Sequence, residues 1–505
     1  MLAAKRLLRQ AEFRKPPSLL LRFISNNTRK VVNQVKPSKV KYEYVDPDEV
    51  ERLDYYVPGG YHPVQIGDKL HDGRYVIVHK LGFGRSATAW LAESKQNNQL
   101  VALKISTAES AERTIHESKV LTRLGQAKSQ LPGKAIVQTL LDSFSFSGPN
   151  GIHQCLVVDA ARINIDEAKE AAYHRLLHLP PSRAIAVQLI LGVQFVHSQG
   201  IVHGGMSFTL LLSWKLRNLY DGYIDLHLGN VLLRLPPSLQ HMTIEQLYAK
   251  IGKPEKEPVV RCDGAPLDPG VPSELIIPLW LGLGSDEITL NNAPILLTDF
   301  GEAFDPSIAK TFTCYTPHLL APPEAFFGEP ATDECLSFGA DIWTLACTIW
   351  EILGSSPPFE VFVPSLDSVT REHVEAFGKL PDRWWRKWAN RNNWFDEDGR
   401  KNVTEHLKQC YSNSARGWDQ RFPGSIQGAR RRASNTEHNF EVFGEDEGKA
   451  FGDMIKSMLV LEPGQRATIE DVVNCEWMQR WGLPELHRME EKVREEETRF
   501  LYGNS

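Results

Sequence analysis

Two short loops constrain this chain more than anything else in it. Asp225-Leu-His227-Leu-Gly-Asn230 sets a carboxylate five residues before an amide, and Asp299-Phe300-Gly301 follows 69 residues after Asn230. An amide oxygen and a carboxylate beside phosphates suit magnesium, a hard cation that prefers oxygen ligands. A fold that serves this chemistry has to bring both loops to one point. Either motif alone is weak, because D-F-G is a common tripeptide. The order of the other elements around them decides the matter.

Upstream, Leu81-Gly82-Phe83-Gly84-Arg85-Ser86-Ala87-Thr88-Ala89-Trp90 lies between two apolar runs that read as strands, Tyr75–Leu81 and Ala89–Ala92. Glycines let a backbone approach phosphates closely. The third position of this G-x-G-x-x-A loop is Ala87, which is small but lacks the φ freedom of glycine. Val101-Ala102-Leu103-Lys104-Ile105 follows as an alternating strand. Lys104 is placed to neutralise phosphates, and Glu117, in a helical stretch from Ala108 to Leu124, is its expected ion-pair partner. Singly, the glycines read equally well as a hairpin turn and Lys104 as a solvated strand lysine. Downstream, Ala321-Pro322-Pro323-Glu324 precedes an apolar helix that begins at Asp341-Ile342-Trp343 and runs to Leu353, and Arg466 lies in Leu461-Glu-Pro-Gly-Gln-Arg466-Ala-Thr468. Glu324 and Arg466 are expected to form a buried ion pair.

With these residues in this order, the chain from about His62 to Trp481 resembles eukaryotic protein kinases. More closely it resembles the fungal SR-protein kinases of the CMGC group. That closer likeness rests on Gly60-Tyr-His-Pro-Val-Gln-Ile-Gly-Asp68, Gly73-Arg-Tyr75 and Asp341-Ile-Trp-Thr-Leu-Ala-Cys-Thr-Ile-Trp-Glu351. The resemblance implies an α+β, two-lobed fold with a small β-rich lobe and a large helical lobe. It also implies ATP and magnesium as cofactors, and transfer of the γ-phosphate to Ser/Thr hydroxyls of Arg/Ser-rich proteins in cytoplasm and nucleus. On that footing Asp225 and Lys104 are catalytic, and Asn230 and Asp299 hold metal. Leu81, Gly82, Phe83, Gly84, Ala87, Ala89, Ala102, Lys104 and Glu117 line the ATP site, while His203, Glu324, Asp341 and Arg466 are structural.

Several departures keep alternatives open. The usual H-R-D is here His203-Gly204 followed, after an interruption, by Asp225. Without that Arg there is no obvious reader of a phosphorylated activation segment. His227 stands where Ser/Thr kinases place a Lys. The Gly-Asp-Leu-His loop of the spliced reading also resembles the catalytic loop of small-molecule phosphotransferases such as choline-type kinases. A catalytically impaired scaffold is the other alternative. Removing residues 205–224 joins His203-Gly204 to Asp225 in an unbroken loop, and the codons at both ends can carry splice signals. The segment therefore reads as a translated intron, with a bulging surface loop as its rival.

The expected organisation is a basic arm at 1–42, a linker at 43–66, the small lobe at 67–160 and the large lobe at 161–485. Insertions fall at 205–224, 235–294 and 360–450, and a charged tail occupies 486–505. Residues 1–42 hold 11 Lys/Arg and one acid, so the remainder carries −16 of the chain's net −6. Such an arm reads as a mitochondrial presequence or as a disordered basic segment. The acidic body would favour basic substrates. The region 235–294 is expected to hold one short helix, Thr243–Ile251. In 360–450, Trp384, Trp385, Trp388 and Trp394 are expected to be core. Ser182–Ser198 has the period of a buried helix, and Pro484–Phe500 that of a charged one. Arg430-Arg-Arg-Ala-Ser434 is a basophilic phosphorylation pattern in a polar stretch. The seven cysteines are scattered without C-x-x-C, which reads as reduced thiols. No apolar run reaches 18 residues and the 16 His form no ligand motif, so neither a membrane span nor a structural metal is expected. Basic residues beyond the arm are not interleaved with aromatics, so direct nucleic-acid binding is not expected.

Overall fold

The computed structural model describes residues 38, 40–43, 50–204, 228–312, 317–329, 334–361, 363–408, 411 and 416–502. Nearly all of the basic arm, the interruption 205–224, Asp225 and His227 lie outside them.

The amino-terminal part is an antiparallel sheet. Strands β1 (Tyr42–Glu43) and β2 (Lys69–Leu70) precede β3 (Tyr75–Phe83), β4 (Ala87–Ser94), β5 (Gln99–Ser106), β6 (Leu140–Gly148) and β7 (Gly151–Asp159). Six of these form one sheet in the order β2-β3-β4-β5-β7-β6. Successive side chains of a strand point to opposite faces, and β5 uses this fully. Val101, Leu103 and Ile105 pack with Tyr75, Ile77, Trp90, Cys155 and Val157 on one face. Ala102 faces the other way, into the core shared with the large lobe. Lys104, between Leu103 and Ile105, is therefore delivered to the inner face.

Helix α1 (Ala111–Gln126) crosses that inner side and starts three residues later than its sequence suggests. The amides of Ala108 and Glu109 bond the carbonyls of Gly60 and Gly59 instead, at 3.1 and 2.8 Å. Strand β6 went unforeseen, because Asp142, Ser143, Ser145 and Ser147 give it a polar cast.

The large lobe is built around α2 (Leu179–Ser198). It begins at Leu179 because Pro180 and Pro181 occupy the first turn, where a missing N–H costs nothing. By length and composition α2 would cross a membrane, but 89% of its apolar window is buried in this fold, so it is a core helix. Strand β8 (Ala161–Asn164) pairs with β9 (Val231–Arg234). Strand β13 (Ile295–Leu297) pairs with the other edge of β9, bringing Asn230 beside the start of the second motif at Thr298-Asp299.

The insert 235–294 is more than one short helix. It contains α3 (Ile244–Ile251), capped by Thr243 and Gln246, a short turn of helix at Pro237–Gln240, and strands β10 (Lys256–Pro258), β11 (Val260–Arg261) and β12 (Glu274–Ile276). Its apolar residues are too sparse for a periodic signal, yet they find partners. Val259, Val271 and Leu275 pack on Val50, Leu53, Tyr56 and Tyr61 of the linker. Leu235, Leu247 and Leu281 pack on Val78, Leu91 and Leu100 of the sheet. The insert then returns to the large lobe alongside the interlobe connection. It is pinned by Leu279 N–H to the Lys80 carbonyl at 2.8 Å, by Arg162 Nε to the Leu281 carbonyl at 2.8 Å, and by Ser285 Oγ to the Leu176 carbonyl at 2.8 Å.

The remaining long helices of the large lobe are α4 (Phe338–Leu353), α5 (Leu366–Phe377), α6 (Glu445–Met458) and α7 (Leu483–Tyr502). Trp384, Trp385, Trp388 and Trp394 are all buried. Trp388 and Trp394 donate to the two oxygens of Asp367 at 2.7 and 3.1 Å, so their indole N–H groups enter the core satisfied. The basophilic stretch is not a solvated loop. It forms a helix, Gly428–Ser434, whose Arg430 is fully buried and donates to the carbonyls of Leu353 and Leu177 at 2.9 and 3.1 Å.

Candidate active site

The site begins with the hairpin between β3 and β4. Gly82 pairs with Ala89 in register, and Leu81 sits half-buried at the junction of sheet and core. Gly84 N–H donates to the Ala87 carbonyl at 2.8 Å, closing the loop, while Phe83 and Ala87 are buried. The register then sets Ala89 opposite Lys104, and Lys104 opposite Leu156 on β7. Ala102 lies two residues back on the same inner face of β5.

Lys104 is held by three oxygens. Its Nζ donates to Glu117 Oε1 and Oε2 at 2.9 and 2.8 Å, and to Asp299 Oδ1 at 2.9 Å. Burial alone would lower the Lys104 ammonium, but Asp299 and Glu117 outweigh it and hold the group above its ordinary value. Burial raises Glu117, Lys104 opposes that, and Asp299 adds to it. One cation thus stands among two carboxylates. Asp299 has φ of +68°, in the left-handed region, which costs a non-glycine residue energy and marks a position fixed by its surroundings.

Asn230 and Asp299 come together through their backbones. Thr298 N–H donates to the Asn230 carbonyl at 3.0 Å. The Asn230 side chain is buried, and its Nδ2 finds no partner among the described residues. The Asn230 amide oxygen, with the surplus of negative charge beside it, is of the type that fits a bound dication.

His203 and Asp341 fix the loop that leads toward Asp225. Asp341 Oδ2 accepts from His203 N–H at 2.7 Å and from His197 Nε2 at 2.9 Å, and its Oδ1 accepts from Gly204 N–H at 3.1 Å. The His203 ring donates to the Thr298 carbonyl at 3.2 Å and lies against Phe300, with ring centres 4.7 Å apart. Burial lowers the His203 imidazole against the pull of Asp341, which suits a structural role rather than a proton carrier. Asp225, the expected catalytic base, lies outside the described residues.

Glu324 and Arg466 form a second charge pair. Arg466 Nη1 and Nη2 reach Glu324 Oε1 and Oε2 at 2.6 and 2.7 Å, a bidentate pair. Its remaining donors go to the carbonyls of Val460, Gly339 and Leu461 at 2.8, 2.7 and 3.3 Å.

Three contacts behind the glycine hairpin had no sequence signal. Tyr61 OH donates to the Gly84 carbonyl at 2.7 Å. Lys80, fully buried on β3, pairs with Glu51, which also accepts from Tyr56 OH. Tyr61 belongs to a phrase that resembles the SR-protein kinases, but nothing in that phrase announces a bond to the hairpin.

No family model matches the chain. Among curated proteins it is similar to protein kinase dsk1 of Schizosaccharomyces pombe, 35% identical over 180 residues, covering 35% of this chain and 33% of that one. It is also similar to SRSF protein kinase 3 of Homo sapiens, 33% identical over 161 residues, or 31% of this chain and 28% of that one. A serine/threonine protein kinase of Aspergillus fumigatus is 22% identical over 440 residues, covering 85% of this chain and 90% of that one. The chain thus matches only about a third of the length of dsk1, while the lower-identity match runs almost end to end. With an amino-terminal antiparallel sheet, a helical carboxy-terminal lobe and these relatives, the chain is a distant homologue of the SR-protein kinases and of fungal serine/threonine protein kinases.

Proposed function

We propose that this protein is an ATP-dependent kinase that transfers the γ-phosphate to Ser/Thr hydroxyls of basic, Arg/Ser-rich proteins. The observation that carries the reading is Lys104 Nζ held within 2.9 Å of both Glu117 and Asp299 under the Gly82–Gly84 hairpin. Lys104 would take the α and β phosphates. Asn230 and Asp299 would hold magnesium, which when bound supplies neutralising charge on the phosphate oxygens. Leu81, Ala89 and Ala102 offer the apolar walls that a base needs. Little covalent chemistry is asked of the protein, so rate comes from positioning and electrostatics. Asp225 would orient the acceptor hydroxyl and receive its proton. The −16 charge outside the first 42 residues supports a basic substrate by long-range attraction.

The test is phosphate transfer from radiolabelled ATP to an Arg/Ser peptide, run beside an ATP-binding measurement. Binding without transfer would favour the impaired scaffold, and transfer to choline or an aminoglycoside but not to peptide would favour a small-molecule phosphotransferase. We propose further that residues 205–224 are translated intron. A mature transcript that mainly retains these codons would overturn that.

A further inference from the structure

Helix α1 is unevenly anchored. Its large buried apolar residues, Val120, Leu121 and Leu124, all lie in its second half. The first half carries Glu117 but buries only Thr114 besides, and Ile115 is 38% exposed. Apolar burial therefore fixes the end of α1 remote from Lys104 and leaves the end that matters to other forces.

Those forces come from the residues just after Asp299-Phe300-Gly301. Arg113 Nε lies 2.9 Å from Glu302 Oε1, His116 Nε2 donates to the Ala303 carbonyl at 2.7 Å, and Arg123 Nη1 reaches Asp305 Oδ2 at 3.0 Å. Residues 113, 116 and 123 fall at spacings of three and seven, so they form one stripe along the helix. Arg123 also donates from Nη2 to the Gln199 carbonyl at 2.5 Å, just beyond the end of α2, and so joins three elements. The segment they grip is itself fixed, since Phe304 and Val202 exchange backbone hydrogen bonds of 2.8 and 2.9 Å. The Asp305 carboxylate is oriented by Ser307 N–H at 3.0 Å.

We propose that Arg113 and His116, on Glu302 and the Ala303 carbonyl, form a clasp that holds the first half of α1 against the post-D-F-G segment and so positions Glu117 on Lys104, while Arg123 and Asp305 tie the second half to the same segment. These are positioning residues, and the inference rests on the kinase reading above for its effect on rate. The clasp works without a phosphate, in a chain whose His203-Gly204 lacks the Arg that would read one. Its pairs are partly exposed, so each biases the helix only modestly, and a variant that breaks two should show the effect.

The experiment uses the full chain carrying Glu302→Gln with His116→Phe, which breaks both contacts of the first half. Hydrogen exchange of amides 112–118 should quicken at least about fivefold while amides 121–126 stay within about twofold. The kcat for peptide phosphorylation should fall about five- to tenfold, with KM for ATP within about twofold. Faster exchange with no measurable phosphotransfer even in the parent protein would sink the kinase reading and leave the clasp standing. Unchanged exchange over 112–118 would overturn the clasp whatever happened to the rate. So would quickened exchange in an active enzyme whose kcat did not move.

Discussion

Two buried charge clusters in this molecule look alike in sequence and differ in construction. Arg466 and Glu324 balance one cation with one carboxylate, and all five guanidinium donors find acceptors. Lys104 faces two carboxylates, with the unpartnered amide of Asn230 on the neighbouring loop. The first cluster is closed and has nothing left to bind. The second carries more negative than positive charge, as the proposed magnesium and phosphate site would require. Charge balance, more than burial, separates the two clusters, since Glu324 and Glu117 are both nearly inaccessible.

Removing one partner from the closed cluster should cost most. Glu324→Ala leaves Arg466 buried and unpaired, and stability measured by urea denaturation should fall by about 3–5 kcal/mol. A loss below about 1 kcal/mol would mean the anchor is not an anchor. Next, Lys104→Met should lower peptide phosphorylation by about 100-fold or more while the circular-dichroism spectrum stays that of the parent. Parent-like turnover would remove Lys104 from the working site.

The anchor's neighbourhood also carries a pH signature. His373 is fully buried, with ring contacts to Trp343 and Phe359 at 5.0 and 4.6 Å. Burial, with Arg421 and Arg466 nearby, lowers it to about 3. Its folded value lies below the unfolded one, near 6.5, so the unfolded chain takes up the proton first as pH falls. The associated stability is complete above about pH 6.5 and drains away toward pH 3, amounting to about 2 kcal/mol by pH 5. His373→Phe should remove that part of the acid limb in urea melts at pH 7 and 5, and an unaltered pH difference would refute the assignment. Smallest is Asp367→Asn. It deprives Trp388 or Trp394 of an acceptor and should cost about 1 kcal/mol, with no change in nucleotide binding by fluorescence titration.

The sequence speaks clearly where chemistry demands fixed residue types at fixed spacing. Lys104, Glu117, Asn230 and Asp299 could be named in advance because their motifs place an ammonium, two carboxylates and an amide in a fixed order, and the structure sets Lys104 on Glu117 and Asp299. The buried helix ending at Ser198 and the tryptophan core were legible from periodicity. The insert was not. Val259, Val271 and Leu275 follow no helical or strand period, and their linker partners Val50 to Tyr61 lie about 200 positions or more away, so only the folded chain reveals them. Tyr61 on the Gly84 carbonyl is silent for the same reason, since a tyrosine hydroxyl accepts many partners. Arg430 shows the converse error: three arginines before an alanine and a serine read as exposed, yet the first is fully buried among backbone carbonyls.

The return of the insert to the small lobe bears on how the chain is made. Ile276 belongs to the same apolar cluster as Tyr75, Ile77 and Trp90, so the sheet's outer core stays open until residue 276 has been synthesised. The sheet is complete only at Asp159, and at about 5–20 residues per second the delay from there to Ile276 is roughly 6–23 s. For that interval the nascent sheet holds an uncovered apolar face at the ribosome. A chaperone that binds such faces would be met there first, and ribosome-bound chains stalled before residue 276 should be captured by it more readily than chains stalled after.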